Sequence, residues 1–442
     1  MFKAGFSKVC ISPPVGAPLA GFAAREGVST GIHDDLYSRA LVLESDEVAL
    51  AIVSVDVLAL PSEFVKRVRI AIQEETGLSA NSVMIAATHT HAGPVTISTF
   101  FNPDETVQPH YMNALAGYIT QSVTEAWRNR VPARVGVGVG HVEGVGVNRR
   151  SADQRPVDEE IGIIKIEDDR GATKAVLINY ACHPTVLGPD NLLVTGDFPA
   201  FAVNEIENAL GPDGFAMFVN GTQGNISMGH SSELSAIGII TPGRTFERAA
   251  ELGHLLANAT INALPQIATV DRPKLRAMTL TIELPLKGYP PPEETSRLLK
   301  EADEHLAQMS ATDGNRSEEL RRAKSEHLYA SINNFYAKET SNLKNGQLPL
   351  ELQGIRINDA VFAAVPAEVF VEIGLRLKKT APSKTFVVGI ANGYIGYLPT
   401  TAAHAAGGYE VVSSKCKPHA EEALVDGILN LEERLLQEAS GV

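Results

Sequence analysis

Cysteine is scarce in this chain, and the few cysteines present form no recognisable pattern. Only three occur in 442 residues, at Cys10, Cys182 and Cys416, and none belongs to a CxxC motif. An odd, sparse set argues against a disulfide framework and favours reduced thiols. The residues after Met1 show no basic stretch followed by an apolar one, so no export signal is recognisable. We therefore expect a cytoplasmic protein.

Long apolar runs and clusters of positive charge are also missing. No stretch approaches the ~20 consecutive apolar residues that a membrane helix needs. The chain carries 38 Lys and Arg against 52 Asp and Glu, which gives a net charge of -14. This balance argues against nucleic acid and against anionic membrane surfaces as partners. We expect a small-molecule partner, and a homo-oligomer stays open.

What is present is the pattern of an α/β protein. Hydrophobic residues make up 44% of the chain, which is ordinary for a globular protein. Buried-strand patterns, such as Val48 to Val57, alternate with helix patterns, such as Pro61 to Thr76. We predict one catalytic domain over 1–442, with a mixed, largely parallel sheet core flanked by helices. No internal repeat is visible.

A charged region interrupts this alternation between residues 288 and 345. Pro290-Pro291-Pro292 opens the region, and charged residues with a helix-forming pattern follow. We predict an inserted αα-hairpin here. It is interpreted either as a passive surface appendage or as a lid or dimer contact.

The most informative motif is Thr88-His89-Thr90-His91-Ala92-Gly93-Pro94. It follows an apolar strand pattern, so both histidines fall at a strand end, where open α/β sheets place their sites. Residues i and i+2 of an extended chain face the same side. Because imidazole is a common zinc ligand, this spacing alone allows both His89 and His91 to bind a metal.

Three further segments place polar residues directly after apolar strand patterns: Ala181 to Thr185, Asn220 to Ser227 and Ala391 to Thr401. The first contains His183, beside Cys182. We weigh Cys182 as a zinc ligand, but adjacent side chains of an extended segment face opposite sides. Asp197 is either the N-cap of the helix that follows it or a carboxylate that orients a ligand histidine.

Together these residues resemble the neutral/alkaline ceramidase family. The matching motifs, in chain order, are Gly31-Ile32-His33-Asp34, Leu36 to Ala40, Thr88 to Pro94, Asn148-Arg149-Arg150, Cys182-His183-Pro184, Gly224 to Ser227, Pro366-Ala367-Glu368, Gly396-Tyr397 and Tyr409-Glu410. The resemblance runs in order over nearly the whole chain. It implies a zinc hydrolase-like α/β catalytic domain.

The resemblance also implies roles for individual residues. One zinc ion would be held by His89, His183, Glu368 and Tyr397. His91 and Tyr409 would face the substrate carbonyl, Arg149 would bind polar groups of the substrate, and Ser227 would take part in catalysis. We add Asp56 and Asp197 as residues expected to support the ligands. Only the first histidine of the pair is assigned to zinc, because the other three ligands already complete a set of four.

The chain departs from the family pattern at Cys10, Asn225 and Met228. Together with the missing export signal and membrane-docking stretch, these departures favour a small amide, N-acyl compound or lactam over ceramide. The helical insertion is expected to roof the pocket and exclude long acyl chains. We therefore predict a zinc-dependent amide hydrolase. The alternatives are a true ceramidase acting on N-acyl-sphingosine, an acyl hydrolase with Ser227 as nucleophile, and a non-catalytic binding protein with a degenerate site.

Overall fold

Three mixed sheets form the centre of the molecule. The computed structural model describes residues 1–46, 48–102, 106–312 and 318–437. The strands are Lys3–Cys10 (β1), Gly31–Ile32 (β2), Tyr37–Glu44 (β3), Ala49–Val55 (β4), Val83–Ala87 (β5), Val131–Pro132 (β6), Arg134–His141 (β7), Val147–Asn148 (β8), Glu160–Glu167 (β9), Thr173–Tyr180 (β10), Leu193–Val194 (β11), Phe215–Asn220 (β12), Ile226–Ser227 (β13), Leu275–Pro285 (β14), Gln347–Ile357 (β15), Ala360–Val365 (β16), Glu368–Val369 (β17), Lys384–Gly389 (β18) and Tyr397–Leu398 (β19). The helices are Ser62–Thr76 (α1), Pro109–Arg128 (α2), Phe198–Leu210 (α3), Ser232–Ala236 (α4), Phe246–Ala263 (α5), Pro292–Thr312 (α6), Glu318–Thr340 (α7), Val371–Thr380 (α8), Thr401–Ala406 (α9), Tyr409–Val412 (α10) and Ala420–Leu436 (α11).

The same strand arrangement occurs three times along the chain. In each case three antiparallel strands are followed by a crossover helix and by a fourth strand that pairs in parallel with the third. The first unit, 3–128, contains β1-β3-β4-α1-β5 and then α2. The second unit, 134–263, contains β7-β9-β10-α3-β12 and then α5, and the third, 275–436, contains β14-β15-β16-α8-β18 and ends with α11. No internal repeat that corresponds to this repeated topology is visible in the sequence.

The expectation of a largely parallel sheet is wrong. Each large sheet has one parallel pair, β4–β5, β10–β12 or β16–β18, and its other pairings are antiparallel. Parallel neighbours need a crossover connection, and within the described parts of the three large sheets these are the pairs that have one. Only residues 358–359 join β15 to β16, for example, which forces a hairpin. Continuous apolar runs suggested parallel strands because these sheets are buried on both faces.

One face of every large sheet packs into a shared apolar core. Ile52 of β4, Leu177 of β10 and Phe362 of β16 belong to this single cluster. The opposite faces are covered by helices, with α1 and α2 on the first sheet, α3 and α5 on the second, and α8 and α11 on the third. None of the helices in the described ranges combines the length and apolar composition needed to cross a membrane.

Two helices occupy the charged region between 288 and 345. α6 and α7 run antiparallel, since Ser296 bonds to Asn334 near one end and His305 pairs with Glu326 further along. They leave from β14 and return into β15, and these two strands pair along their whole length. α7 is the more buried of the two helices, and its inner side forms part of the cavity described below.

Strand ends bring the predicted ligands together. His89 follows β5 by two residues, while His183 and Glu368 each stand three residues beyond the third strand of their unit. The parallel registers align the three units, because Val55, Tyr180 and Val365 each pair with the last residue of the fourth strand. In the first unit the equivalent position, three residues beyond the end of β4, is Leu58.

Candidate active site

His89, His183 and Glu368 form a buried polar cluster at these strand ends. All three are at most 2% exposed. Glu368 Oε2 lies 2.8 Å from His183 Nε2 and 3.4 Å from His89 Nε2. His91 Nε2 joins the cluster at 3.3 Å from His89 Nε2. The structure thus brings residues from three distant parts of the sequence to one point.

The hydrogen bonds of the Nδ1 atoms of His89 and His183 determine that the Nε2 atoms of both rings face the cluster. His89 Nδ1 lies 2.7 Å from the carbonyl oxygen of Leu58, and His183 Nδ1 lies 2.7 Å from that of Gln223. A carbonyl only accepts, so the hydrogen-bond network assigns the ring protons to Nδ1. Both Nε2 lone pairs then point towards the Glu368 carboxylate. Lone pairs directed at a carboxylate fit a cation between them, and two imidazoles with a carboxylate are a zinc donor set.

The protonation preferences agree with this donor set. Burial lowers the pKa of His183 to about 4, with Arg149 adding to the effect. Burial also lowers the pKa of His91, and its neighbours His89 and His183 lower it further. For Glu368, burial raises the pKa, but the two histidines outweigh it and hold the pKa well below the ordinary value. The cluster thus combines the imidazoles of His91 and His183, whose lowered pKa values favour the neutral form, with a carboxylate whose lowered pKa favours the ionised form.

His91 is held by packing more than by hydrogen bonds. Its Nδ1 is buried and has no hydrogen-bond partner among the described residues. Its ring packs against Phe22, and a Cβ atom at Gly21 would lie only 2.5 Å from the ring. Its Nε2 lies 3.3 Å from His89 Nε2, and His89, His91 and His183 each offer a ring nitrogen within 4.8 Å of the others, so His91 also borders the place where a metal ion would bind. His89 itself has a left-handed φ of 72°, which is uncommon for a residue other than glycine.

Tyr397 and Arg149 lie next to the cluster and contact each other. Arg149 Nη2 donates to the Tyr397 hydroxyl at 3.1 Å and to the Gly224 carbonyl at 2.9 Å. Its Nε donates to Glu410 at 2.9 Å, and both side chains of this ion pair are 4% exposed. Burial and the Glu368 charge raise the pKa of Tyr397 well above its usual value. These residues alone favour the neutral phenol, so a phenolate ligand requires a nearby cation.

The Arg149 contacts differ from the expectation that this residue binds polar groups of the substrate. Its charged partner is Glu410, and three of its donor contacts are with protein groups. Arg149 therefore has less free donor capacity for a substrate than we expected. Its position favours a role in orienting the Tyr397 hydroxyl.

Tyr409 lies across from Tyr397, with the two ring centres 6.0 Å apart. It begins α10 and lines the same cavity as His89, His91 and Tyr397. This placement agrees with the expectation that His91 and Tyr409 both face the substrate.

The contacts of Ser227 and Cys182 do not favour the roles considered for them, which were catalysis for Ser227 and zinc binding for Cys182. Ser227 Oγ donates to the backbone carbonyl of His230, and Ser227 is fully buried in β13, outside the residues that line the cavity. It therefore has no adjacent base that would make it a nucleophile. Cys182 Sγ contacts Met228, and burial raises the pKa of its thiol, which disfavours a thiolate ligand.

Asp197 and Asp56 support backbone segments and not the ligand rings. Asp197 is the N-cap of α3 and accepts from the backbone N–H groups of Val186, Leu187 and Phe198. The N-cap reading is thus the one that the contacts favour, and both ligand histidines are oriented by carbonyls instead. Asp56 accepts from the Tyr37 N–H. Burial raises the pKa of each carboxyl to about 6.

A cavity of about 820 Å³ opens onto the cluster. His89, His91, Glu368, Tyr394, Tyr397 and Tyr409 line one part of it. Apolar side chains form much of the remaining wall, namely Leu58, Ile97, Phe100, Phe101, Leu299 and Phe335. Leu299 and Phe335 belong to α6 and α7, so the helical pair is a wall of the cavity and not a passive appendage. The volume lies towards the upper end of the range for ligand pockets, roughly 300–1,000 Å³.

Sequence reasoning missed Tyr394 and Glu410. The Tyr394 hydroxyl donates to Glu368 Oε1 at 2.6 Å and so fixes the carboxylate. Glu410 accepts from both Arg149 and Arg150. Glu410 appeared in a motif beside Tyr409, but nothing in the sequence paired its charge with arginines about 260 positions away.

A buried cluster of two histidines and a carboxylate on a large, partly apolar cavity is typical of enzymes that use a metal ion on a small-molecule substrate. The family model described as neutral/alkaline non-lysosomal ceramidase, N-terminal, matches residues 2–232, slightly more than half of the chain. This chain therefore belongs to that family.

Individual relatives agree with the family assignment. Neutral ceramidase of Mycobacterium tuberculosis is 29% identical over 265 residues, which cover 53% of this chain and 41% of the relative. Neutral ceramidase of Oryza sativa is 27% identical over 44% of this chain and 27% of its own length. The chain thus spans less than half of the length of these two relatives.

A solved structure shows the same fold. The crystal structure of neutral ceramidase from Pseudomonas aeruginosa superimposes with a TM-score of 0.75 at 22% identity. The superposition covers 100% of this chain and 76% of the other. The mixed α/β architecture is therefore shared with that enzyme.

Proposed function

We propose that this chain hydrolyses the amide bond of an N-acyl-sphingosine, that is, of a ceramide. The observation that carries the proposal is the His89–His183–Glu368 cluster on a large, partly apolar cavity, in a chain of the ceramidase family. The relatives named as neutral ceramidases support the substrate class.

This proposal replaces the preference for a small amide or lactam. That preference rested on the absence of export and membrane-docking features, on the departures from the family pattern at Cys10, Asn225 and Met228, and on a helical roof that restricts the pocket. Instead, α6 and α7 contribute Leu299 and Phe335 to a cavity of about 820 Å³. Apolar lining and volume of this kind suit a long acyl chain, since burial of each CH₂ contributes about 0.8 kcal/mol.

We propose zinc as the cofactor, held by His89, His183, Glu368 and Tyr397. The donor chemistry fits: two Nε2 lone pairs and an ionised carboxylate converge, and Arg149 supports the Tyr397 oxygen. When bound, zinc supplies a Lewis acid that polarises a carbonyl group and makes water acidic enough to act near neutral pH.

The remaining residues of the site bind and orient the substrate. His91 Nε2 lies beside the ligand cluster, and Tyr409 carries a hydroxyl on the same cavity wall. We assign both to hydrogen bonds with the amide oxygen as it gains negative charge. Loss of one such donor typically lowers kcat by about 10²–10³-fold. Tyr394 and Arg149 keep Glu368 and Tyr397 in position.

We also propose that residues 1–442 form one catalytic unit, with its three sheets around one core. An acyl-enzyme on Ser227 is disfavoured, because its hydroxyl contacts a backbone carbonyl and not a base. A Ser227→Ala protein that retains turnover would confirm this exclusion.

The test is an assay of the purified, zinc-reconstituted protein with N-acyl-sphingosine, short amides and lactams side by side, with free amine as the readout. We expect release of sphingosine and about one zinc ion per chain. His89→Ala should lose zinc and turnover together, whereas His91→Ala should keep zinc and lose turnover. If the protein turns over short amides but not N-acyl-sphingosine, the small-amide hypothesis is restored. If it binds no zinc, the mechanism is overturned.

A further inference from the structure

A polar patch on the cavity wall has no role in the function proposed above. It consists of Ser413 and Lys415, in the segment that follows α10, and both side chains line the cavity. Ser413 ends α10 in a turn with φ −76° and ψ 9°, and isolated bridges follow at Ser414 and Cys416.

The Lys415 ammonium is buried but only partly satisfied. Its side chain is 7% exposed, and its Nζ donates to Glu339 of α7 at 2.5 Å and lies 5.2 Å from the centre of the Tyr336 ring. An ammonium has three donors, and Glu339 is the one acceptor recorded for it within the described residues. Buried donors without partners are costly, so the remaining N–H groups call for an acceptor from the cavity.

Ser413 is the second polar group of the patch. The residue is 2% exposed, and its Oγ has no partner at full hydrogen-bond geometry in the described part of the chain. Its hydroxyl lies beside that of Tyr409, whose pKa burial raises and the contact with Ser413 lowers in part. The patch therefore begins directly beside a residue that we assign to the reacting carbonyl.

We propose that Ser413 and Lys415 bind the oxygen substituents of the amine half of the substrate. This inference rests on the proposed amide hydrolysis. The acyl half of a fatty amide offers no acceptor beyond its carbonyl, whereas sphingosine carries hydroxyl oxygens on the carbons next to its amide-bearing carbon. The donor patch begins at Ser413, beside Tyr409, and lines the same cavity as the ligand cluster. A carboxylate at the same place, as in an N-acyl amino acid, offers the same acceptor chemistry.

The patch makes Lys415 a specificity-determining residue, and a selectivity ratio tests it. The ratio compares kcat/KM for N-acyl-sphingosine with kcat/KM for the N-acyl amide of an alkylamine of equal length that lacks oxygen. We expect Lys415→Met to lower this ratio about 10-fold or more, as for loss of a charged hydrogen bond, and Ser413→Ala to lower it less. Lys415→Arg should retain part of it. An N-acyl glycine, measured in parallel, separates the carboxylate source from the hydroxyl source.

Glu339→Gln is the control for a purely structural ion pair. It removes the charge that pairs with Lys415 but leaves the Lys415 donors in place, so the ratio should stay near that of the unaltered protein. A ratio that falls equally in Glu339→Gln and Lys415→Met, or that is unchanged in Lys415→Met, overturns the inference. If the unaltered protein turns over neither amide, the proposed function fails. The ratio of the dissociation constants of the two amides, measured on the same variants, then decides the role of Lys415.

Discussion

The first and third units of the fold have the same topology but supply the site differently. In the third unit, the residue three positions beyond the third strand is Glu368, a ligand candidate, and in the second unit it is His183. In the first unit that position is Leu58, and the ligand candidate His89 comes from beyond the neighbouring strand. Leu58 still takes part, since its carbonyl oxygen accepts from His89 Nδ1 at 2.7 Å.

The comparison separates two ways of holding a ligand. His89 and His183 are oriented by backbone carbonyls of the strand-end loops. Glu368 is oriented by a side chain, the Tyr394 hydroxyl. A backbone carbonyl survives most substitutions of its residue, whereas a side-chain hydroxyl is lost with a single change. We therefore expect the third unit to be the part of the site that is most sensitive to substitution of a supporting residue.

The largest effect should come from substituting the equivalent positions of the three units. His183→Ala and Glu368→Gln remove proposed zinc ligands, so zinc content should fall well below one per chain and kcat/KM should fall by roughly 10³-fold, since Lewis-acid stabilisation is worth several kcal/mol. Leu58→Ala should keep its zinc, because its contribution is a carbonyl, although the protein should lose about 2–5 kcal/mol of stability. Zinc analysis and thermal unfolding measure both quantities. Zinc loss in Leu58→Ala would break the distinction between the units.

A smaller effect is expected where a side chain supports the ligand. Tyr394→Phe removes the hydroxyl that fixes Glu368, and zinc affinity should weaken by about 10–100-fold. Tyr111→Phe is the matched control, because it also removes a buried hydroxyl that donates at 2.7 Å, in this case to the Ile11 carbonyl. Competition with a chelator measures the affinity of each protein. Equal affinity in both variants would show that Glu368 is positioned without Tyr394.

Part of the site was predictable from the sequence, because His89 and His183 stand in short motifs directly after apolar strand patterns. Glu368 was predicted only through the resemblance to the ceramidase family, and in the structure it meets both histidines. The sheet direction was not predictable, since strands buried on both faces read as apolar runs whether their neighbours are parallel or antiparallel. The pairs Tyr394–Glu368 and Arg149–Glu410 depend on loops that meet only in three dimensions. The insertion was expected to roof the pocket, but the apolar contribution of α7, Phe335, was not predicted, because charge dominates the sequence of that helix.

The smallest expected effect concerns His91. Its ring is oriented neither by a backbone carbonyl, as in His89 and His183, nor by a side-chain hydroxyl, as in Glu368. A Cβ atom at Gly21 would lie 2.5 Å from the His91 ring, and Gly21 has a φ of 102°. Gly16 has a similar φ of 96°, but a Cβ atom there meets nothing within 4 Å among the described residues. Both Gly21→Ala and Gly16→Ala should lose about 1–2 kcal/mol of stability, the cost of a left-handed conformation for alanine.

Turnover should distinguish these two glycine variants. Gly21→Ala pushes the His91 ring from its place, and we expect kcat to fall about 10-fold with zinc retained, because a displacement of 1 Å can cost up to about 10²-fold. Gly16→Ala should keep kcat near that of the unaltered protein. Zinc content, thermal unfolding and kcat are measured on the same preparations. If the two variants slow turnover equally, His91 is not positioned by its contact with Gly21, and the distinction between bonded ligands and a packed donor does not hold.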